Sequence, residues 1–153
     1  MKLNFHSSKQ KNEQQQDKLI LFVCVENAGR SQIAEGFFNQ KYAPKGYRAI
    51  SAGTRPVSQI NPLAIQAMKE IGIDISSQKS KIITEDMIKS SEKSVNMGCI
   101  EREECPMLFI NNVIDWSIED PKGKPIEKVR KIRDEIEIRV KEIAQSLERK
   151  NSS

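Results

Sequence analysis

The sequence predicts an α/β protein whose parallel sheet carries helices on both faces. Three observations support this. The run "KLILFVC" at 18–24 is continuously apolar and bounded by polar segments, which is how a strand buried on both faces reads. Segments of helical spacing then alternate with short apolar runs, the pattern of strand–helix–strand units. From Pro125 onward, apolar residues fall at 126, 129, 132, 136, 140, 143 and 147, steps of three and four that mark a long amphipathic helix with a solvated charged face.

The elements follow in order. Ile33, Ala34, Phe37 and Phe38 place a helix over 31–42, closed by Pro44 and Gly46. "YRAISAG" at 47–53 reads as a second strand ending in Gly53. Asn61 is a natural N-cap with Pro62 at the first helical position. Leu63, Ile65, Ala67, Met68 and Ile71 line the helix that follows, and Gly72 stops it. "DISSQKSKII" is loop, and Thr84 starts a short helix, "TEDMIKSS". "KSVNMGC" at 93–99 is a third, weaker strand and "MLFI" at 107–110 a fourth; "DWSIEDPKGKP" is loop. No internal repeat is visible.

The chain has 153 residues, enough for one domain. That domain is expected over 18–150, behind a Gln-, Lys- and Ser-rich tail at 1–17 that reads as disordered. His6, the only histidine, lies in that tail and reads as a solvated bystander, which disfavours histidine triads and histidine zinc sites; no metal is expected. The net charge of +4 suits a small anionic substrate. Intermixed charges and few aromatics argue against a nucleic-acid partner. No apolar run reaches the roughly 18 residues of a membrane span, and the N-terminal stretch at 1–18 has no apolar run of signal-peptide length. An odd number of cysteines, Cys24, Cys99 and Cys105, then points to a reducing cytoplasm and thiol chemistry.

A free cysteine is most often just a small buried hydrophobe. The position of Cys24 argues otherwise. It closes the first strand, and a tight loop leads from it into a helix that starts near Arg30. In doubly wound folds, ligands bind at such strand ends. The backbone amides of Val25, Glu26, Asn27, Ala28 and Gly29 can turn inward and, with the helix dipole, cradle an anion. The same field stabilises a Cys24 thiolate. Arg30 can grip a tetrahedral oxyanion through paired hydrogen bonds. Ser31 can hydrogen-bond the sulfur and assist it as a leaving group, and Asn27 can brace the loop.

"CVENAGRSQIAEGFF" resembles the phosphate loop and following helix of the low-molecular-weight protein tyrosine phosphatase superfamily. "SAGTRPVSQINPLAIQAMKEIGIDISSQKSK" and "DWSIEDPKGKPIEKVRKIRDEI" resemble its next two blocks, so the likeness runs over roughly 18–146. Within the superfamily the pattern is most similar to the thioredoxin-coupled arsenate reductases. The resemblance implies a flavodoxin-like three-layer fold with a four-stranded parallel sheet.

It also implies roles. Asp120, in "EDP", matches the general acid of the phosphatases, with Pro121 stiffening its loop; Asp115 is a second candidate, and an ordinary Asp-Pro turn is the alternative. For a reductase, Cys24 would form an arsenate adduct, Cys99 would attack Cys24, and Cys105 would resolve the Cys24–Cys99 disulfide by attacking Cys99. Thioredoxin or a similar dithiol would then reduce the Cys99–Cys105 pair, with no cofactor needed. Cys99 is expected at the end of a strand on the edge that carries Cys24. "IEREE" is expected as a mobile helical turn, and Pro106 to restart the chain as extended. Cys105 sits in a charged stretch, unlike a structural thiol. Pro121 is followed by Lys122 and Gly123, which give no aromatic wall for a phenol. Both features favour arsenate over phosphotyrosine or small phosphoesters.

The sequence departs from the family pattern at three positions. Glu26 puts a carboxylate in the loop and is expected to face solvent. Lys81 stands where some family reductases carry a carboxylate that helps hold a cation, so its ammonium could replace that cation. Gly29 replaces a second loop cysteine. Two readings stand beside the reductase, here expected to act as a monomer: a phosphatase, and a non-catalytic oxyanion-binding or redox-sensing protein.

Overall fold

The computed structural model describes residues 16–152. The tail at 1–15, and His6 with it, lies outside the described residues.

Four strands form one parallel sheet in the order β2-β1-β3-β4: β1 (Lys18–Cys24), β2 (Tyr47–Gly53), β3 (Ser91–Asn96) and β4 (Ile114–Asp115). β1 is central, and residues 20–24 are buried on both faces. Its side chains alternate between two cores, as the period of a strand requires. Ile20, Phe22 and Cys24 face the larger core, and Leu21 and Val23 face the smaller. Phe22 makes an edge contact with Phe38 and a tilted contact with Trp116.

Three helices contribute to the larger core: α1 (Arg30–Phe37), α2 (Pro62–Lys69) and the long α5 (Ile126–Ser152). Ile132, Ile136, Val140, Ile143 and Leu147 form the buried stripe of α5. The predicted N-cap of α2 is present, Asn61 Oδ1 accepting from Leu63 N at 2.9 Å. The helix ends as Gly72 N and Ile73 N donate to the carbonyls of Lys69 and Met68. The opposite core is covered by α3 (Glu85–Ser90) and α4 (Pro106–Ile110), which contribute Ile88 and Leu108.

The structure corrects four expectations. "MLFI" is not a strand: Pro106 takes the first helical position of α4 and does not restart the chain as extended. Only Leu108 of that run is fully buried, while Ile110 is exposed, a helical burial pattern that so short a run does not reveal in sequence. The fourth strand is Ile114–Asp115 instead. The third strand stops at Asn96, before Cys99, because the Asn96 side chain turns the chain: Oδ1 accepts from the amides of Gly98, Cys99 and Ile100. The helix expected over 31–42 is α-helical only to Phe37; Phe38–Tyr42 widens into a π-turn closed by Ala43 N to Phe38 O at 2.7 Å.

No helix among the described residues is long and apolar enough to cross a membrane.

Candidate active site

Cys24 ends β1, and the loop 25–29 carries the chain into α1, whose first residue is Arg30. Other segments anchor the loop backbone at nearly every carbonyl. Arg55 N donates to Val25 O, Val57 N to Glu26 O, Asn61 N to Ala28 O and Gln32 Nε2 to Asn27 O. Carbonyls that point outward to these donors leave the loop amides to face the other way. Asn27 has a left-handed φ of 52°, which asparagine tolerates better than most residues. Its fully buried side chain braces the loop as expected, Nδ2 donating to Ser31 Oγ at 2.7 Å and Oδ1 accepting from Lys81 N at 2.9 Å.

Two close approaches require glycine. A Cβ on Gly53 would lie 2.5 Å from Val25 O and 2.8 Å from Cys24 O, both backbone atoms with no freedom to retreat. A Cβ on Gly29 would lie 2.9 Å from Pro121 Cγ, so Gly29 lets the Asp-Pro loop rest on the phosphate loop.

Cys24 is buried, with Sγ 2.9 Å from Ser31 Oγ. Its pKa is lowered to about 6, chiefly by a hydrogen bond from the Cys99 thiol, with further help from Ser31 and the Arg30 charge, against the cost of burial. The Cys99 thiol is pushed up, first by donating to Cys24 and then by burial. Cys99 Sγ in turn accepts from Val25 N at 3.2 Å. Cys24 is therefore the thiolate and Cys99 the thiol that touches it. Cys105 is half-buried against the smaller core, as the N-cap residue of α4 and beyond the turn at 102–104. Cys24, Cys99 and Cys105 are all free thiols.

Arg30 is nearly buried, and its Nη1 donates to Ile118 O at 2.8 Å. Its Nη2 lies 3.6 Å from Asp120 Oδ2, which places Asp120 at the mouth. Asp120 also makes the contact expected of an ordinary Asp-Pro turn, Oδ1 accepting from Lys122 N at 3.0 Å. Asp115 ends β4 and does not line the cleft. The cleft holds about 590 Å³; Cys24, the loop, Cys99, Asp120 and Lys122 are among its walls, and none of the described residues that line it is aromatic.

Glu26 faces the solvent-exposed rim as expected, and its carboxylate pairs there with Lys122 Nζ at 2.9 Å. Lys81 Nζ donates to Lys79 O at 2.6 Å and sits 3.9 Å from Glu35 Oε1, which accepts from Ser51 Oγ at 2.6 Å. The Lys81 ammonium thus sits between the Lys79 carbonyl and the Glu35 carboxylate. Among the described residues no cluster of His, Cys, Asp and Glu is fit to hold a metal.

Sequence reasoning missed three supporting residues. Gln32 is buried and ties Asn27 O to Lys79 O. Asn96 shapes the Cys99 loop through both ends of its amide. Glu104 fastens the Cys105 segment to Thr54 and Arg55. Asn96 alone had a visible signal, an asparagine two residues ahead of a glycine at a strand end.

A thiolate on the floor of an amide cradle, with an arginine at its edge, defines a cysteine-dependent enzyme acting on tetrahedral oxyanions. The chain belongs to the low molecular weight phosphotyrosine protein phosphatase family, whose model matches residues 19–153. It is 40% identical over 124 residues to the arsenate reductase of Staphylococcus aureus strain Newman, covering 80% of this chain and 93% of that protein. Among solved structures it is similar to the thioredoxin-dependent arsenate reductase of Corynebacterium glutamicum. That match has a TM-score of 0.71 and 35% identity, covering 87% of this chain and 63% of that one. It is also similar to the YwlE arginine phosphatase of Geobacillus stearothermophilus, with a TM-score of 0.77 and 27% identity, covering 87% of this chain and 94% of that one. The four-stranded parallel sheet with flanking helices is the fold of these neighbours, as the resemblance implied.

Proposed function

We propose that the protein is an arsenate reductase that runs a three-thiol relay. The supporting observation is that Cys99 lines the oxyanion cleft together with Cys24, its Sγ held on the phosphate loop by Val25 N at 3.2 Å. A phosphatase needs the nucleophile, the arginine and an acid; it has no use for a second thiol against the first.

Arsenate enters the cradle as a charge and shape analogue of phosphate. Cys24 thiolate attacks arsenic, forming an S–As bond and releasing hydroxide or water. Cys99, once deprotonated, attacks Cys24 Sγ. The S–As bond breaks with its electron pair going to arsenic, so As(V) becomes As(III) and arsenite leaves as the Cys24–Cys99 disulfide forms. Ser31 stabilises the Cys24 sulfur when it departs as thiolate. Cys105 then attacks Cys99, freeing Cys24 and leaving a Cys99–Cys105 disulfide, which an external dithiol of the thioredoxin type reduces. The chain needs no resident cofactor for these steps. A reducing cytoplasm suits three free thiols, and a single chain supplies every group, so a monomer suffices.

The test follows NADPH oxidation in a thioredoxin–thioredoxin reductase mixture, with and without arsenate. Arsenate-dependent turnover in the parent, lost in Cys99→Ser and Cys105→Ser, is the expected result. No turnover in the parent, beside hydrolysis of an aryl phosphate that survives both substitutions, would make it a phosphatase. Asp120 beside Arg30 supports that second reading, as a proton donor to a leaving alkoxide or phenoxide.

A further inference from the structure

The mouth of the cleft is crossed by an ion pair that neither the fold nor the relay requires. Glu26 stands on the phosphate loop and Lys122 on the Asp-Pro loop, joined at 2.9 Å. Each is fixed from behind. The Glu26 carbonyl accepts from Val57 N at 3.1 Å and Ser80 Oγ at 3.0 Å, and the Lys122 amide donates to Asp120 Oδ1 at 3.0 Å. Beneath the pair, Pro121 rests on Gly29. Both side chains line the same cleft as Cys24.

We propose that Glu26 and Lys122 form a strap that determines specificity, admitting a free tetrahedral oxyanion and disfavouring an organic phosphoester. This deepens the arsenate reading of the site and rests on it. A free oxyanion fits wholly within the cradle. An ester must send its organic part out through the mouth, where it meets the line joining the two side chains. Among the described residues, no aromatic ring in the cleft wall rewards that exit. The strap therefore works by exclusion of the wrong ligand, not by attraction of the right one. The two charges cancel at the rim, so Glu26 does not repel an entering anion. Lys122 is 68% exposed and Glu26 37%, so the pair can part briefly to let a small ion pass.

The test uses the full chain and needs no turnover. Protection of Cys24 from iodoacetamide gives dissociation constants for inorganic phosphate and for phenyl phosphate. It is run on the parent, Glu26→Gln, Lys122→Met, the double variant and Lys122→Arg. The ratio of the phenyl phosphate constant to the phosphate constant should fall about twofold to fivefold in each neutral single variant, within the range an exposed ion pair can control. It should fall no further in the double variant and keep its parent value in Lys122→Arg. A ratio unchanged in all variants overturns the strap. So do singles that shift phosphate affinity in opposite directions at a fixed ratio, the mark of charge alone. Failure of the arsenate reading would appear elsewhere, as a parent inert to arsenate in the coupled assay.

Discussion

The phosphate loop and the segment from Cys99 to Cys105, the two parts of the proposed relay, are built in opposite ways. The loop at 25–29 is cross-linked to four other parts of the chain through its own backbone carbonyls and through the buried Asn27 side chain. The thiol segment is held at its two ends. Asn96 grips residues 98–100, and α4 begins at Pro106. Between them, the turn at 102–104 is fastened by exposed contacts, Glu104 to Thr54 and Arg55 and the Arg102 guanidinium over the Phe109 ring. A cradle must not move while it stabilises charge, because fixed dipoles are effective only when no reorganisation is needed. A resolving thiol must travel, so its segment is held by contacts that break at low cost.

The largest effects should come from loosening the rigid region. Asn27→Ala removes a buried brace, orphans Lys81 N–H and puts alanine at a left-handed φ. A loss of about 2–4 kcal/mol follows from an unsatisfied group and the backbone strain, with roughly 5–15 °C in Tm. Gly53→Ala must displace the Cys24 and Val25 carbonyls. In both variants, arsenate turnover should fall roughly a hundredfold through misplacement of the cradle. Normal steady-state rates in a folded Gly53→Ala would show that the loop is less constrained than its contacts imply.

Next in size is a change at the point where the two regions meet. With Cys24 at about 6, thiolate predominates above that pH. Alkylation of Cys24 should be flat above pH 7 and fall about tenfold per unit once well below the midpoint. Cys99→Ala removes the largest cause of the depression, so the midpoint should move up. Rates followed from pH 4 to 9 by mass spectrometry test this; an unmoved midpoint would assign the depression to Ser31 and Arg30 instead.

The same contrast explains what the sequence made legible. Cys24, Arg30, Ser31 and Asn27 could be placed because a buried strand, a tight loop and a helix start have strong periodic signals on either side. The redox segment has none. "MLFI" is too short to distinguish strand from helix, and the end of β3 is set by one asparagine side chain, not by any change in hydrophobicity. Partners distant in sequence were also out of reach. Nothing near Glu26 announces Lys122, and nothing near Glu104 announces Arg55.

A smaller effect is expected behind the loop. Lys81 occupies the Glu35 carboxylate and the Lys79 carbonyl, so exchanging sodium for potassium should leave the parent's kcat/KM unchanged within about twofold. Lys81→Ala should lower kcat/KM a fewfold and make it potassium-responsive, since Glu35 is then open to a cation. Potassium activation of the parent would defeat the replacement.

The smallest effect should come from the more loosely tied region in the comparison. Glu104 Oε2 accepts from Thr54 Oγ1 at 3.3 Å and lies 3.8 Å from Arg55 Nη2, while Oε1 accepts from Glu101 N at 3.4 Å. These long, partly solvated contacts favour the turn as it stands in the reduced protein. They must give way if Cys105 is to approach Cys99 sulfur in line. Glu104→Gln keeps the shape and removes the charge. It should leave adduct formation at Cys24 unaffected and speed Cys99–Cys105 disulfide formation about twofold to threefold, the scale of an exposed ion pair. Rapid alkylation quench and mass spectrometry after one arsenate turnover would separate the two steps. A slower second step would mean that Glu104 holds Cys105 on course for attack, making the turn a guide and not a catch.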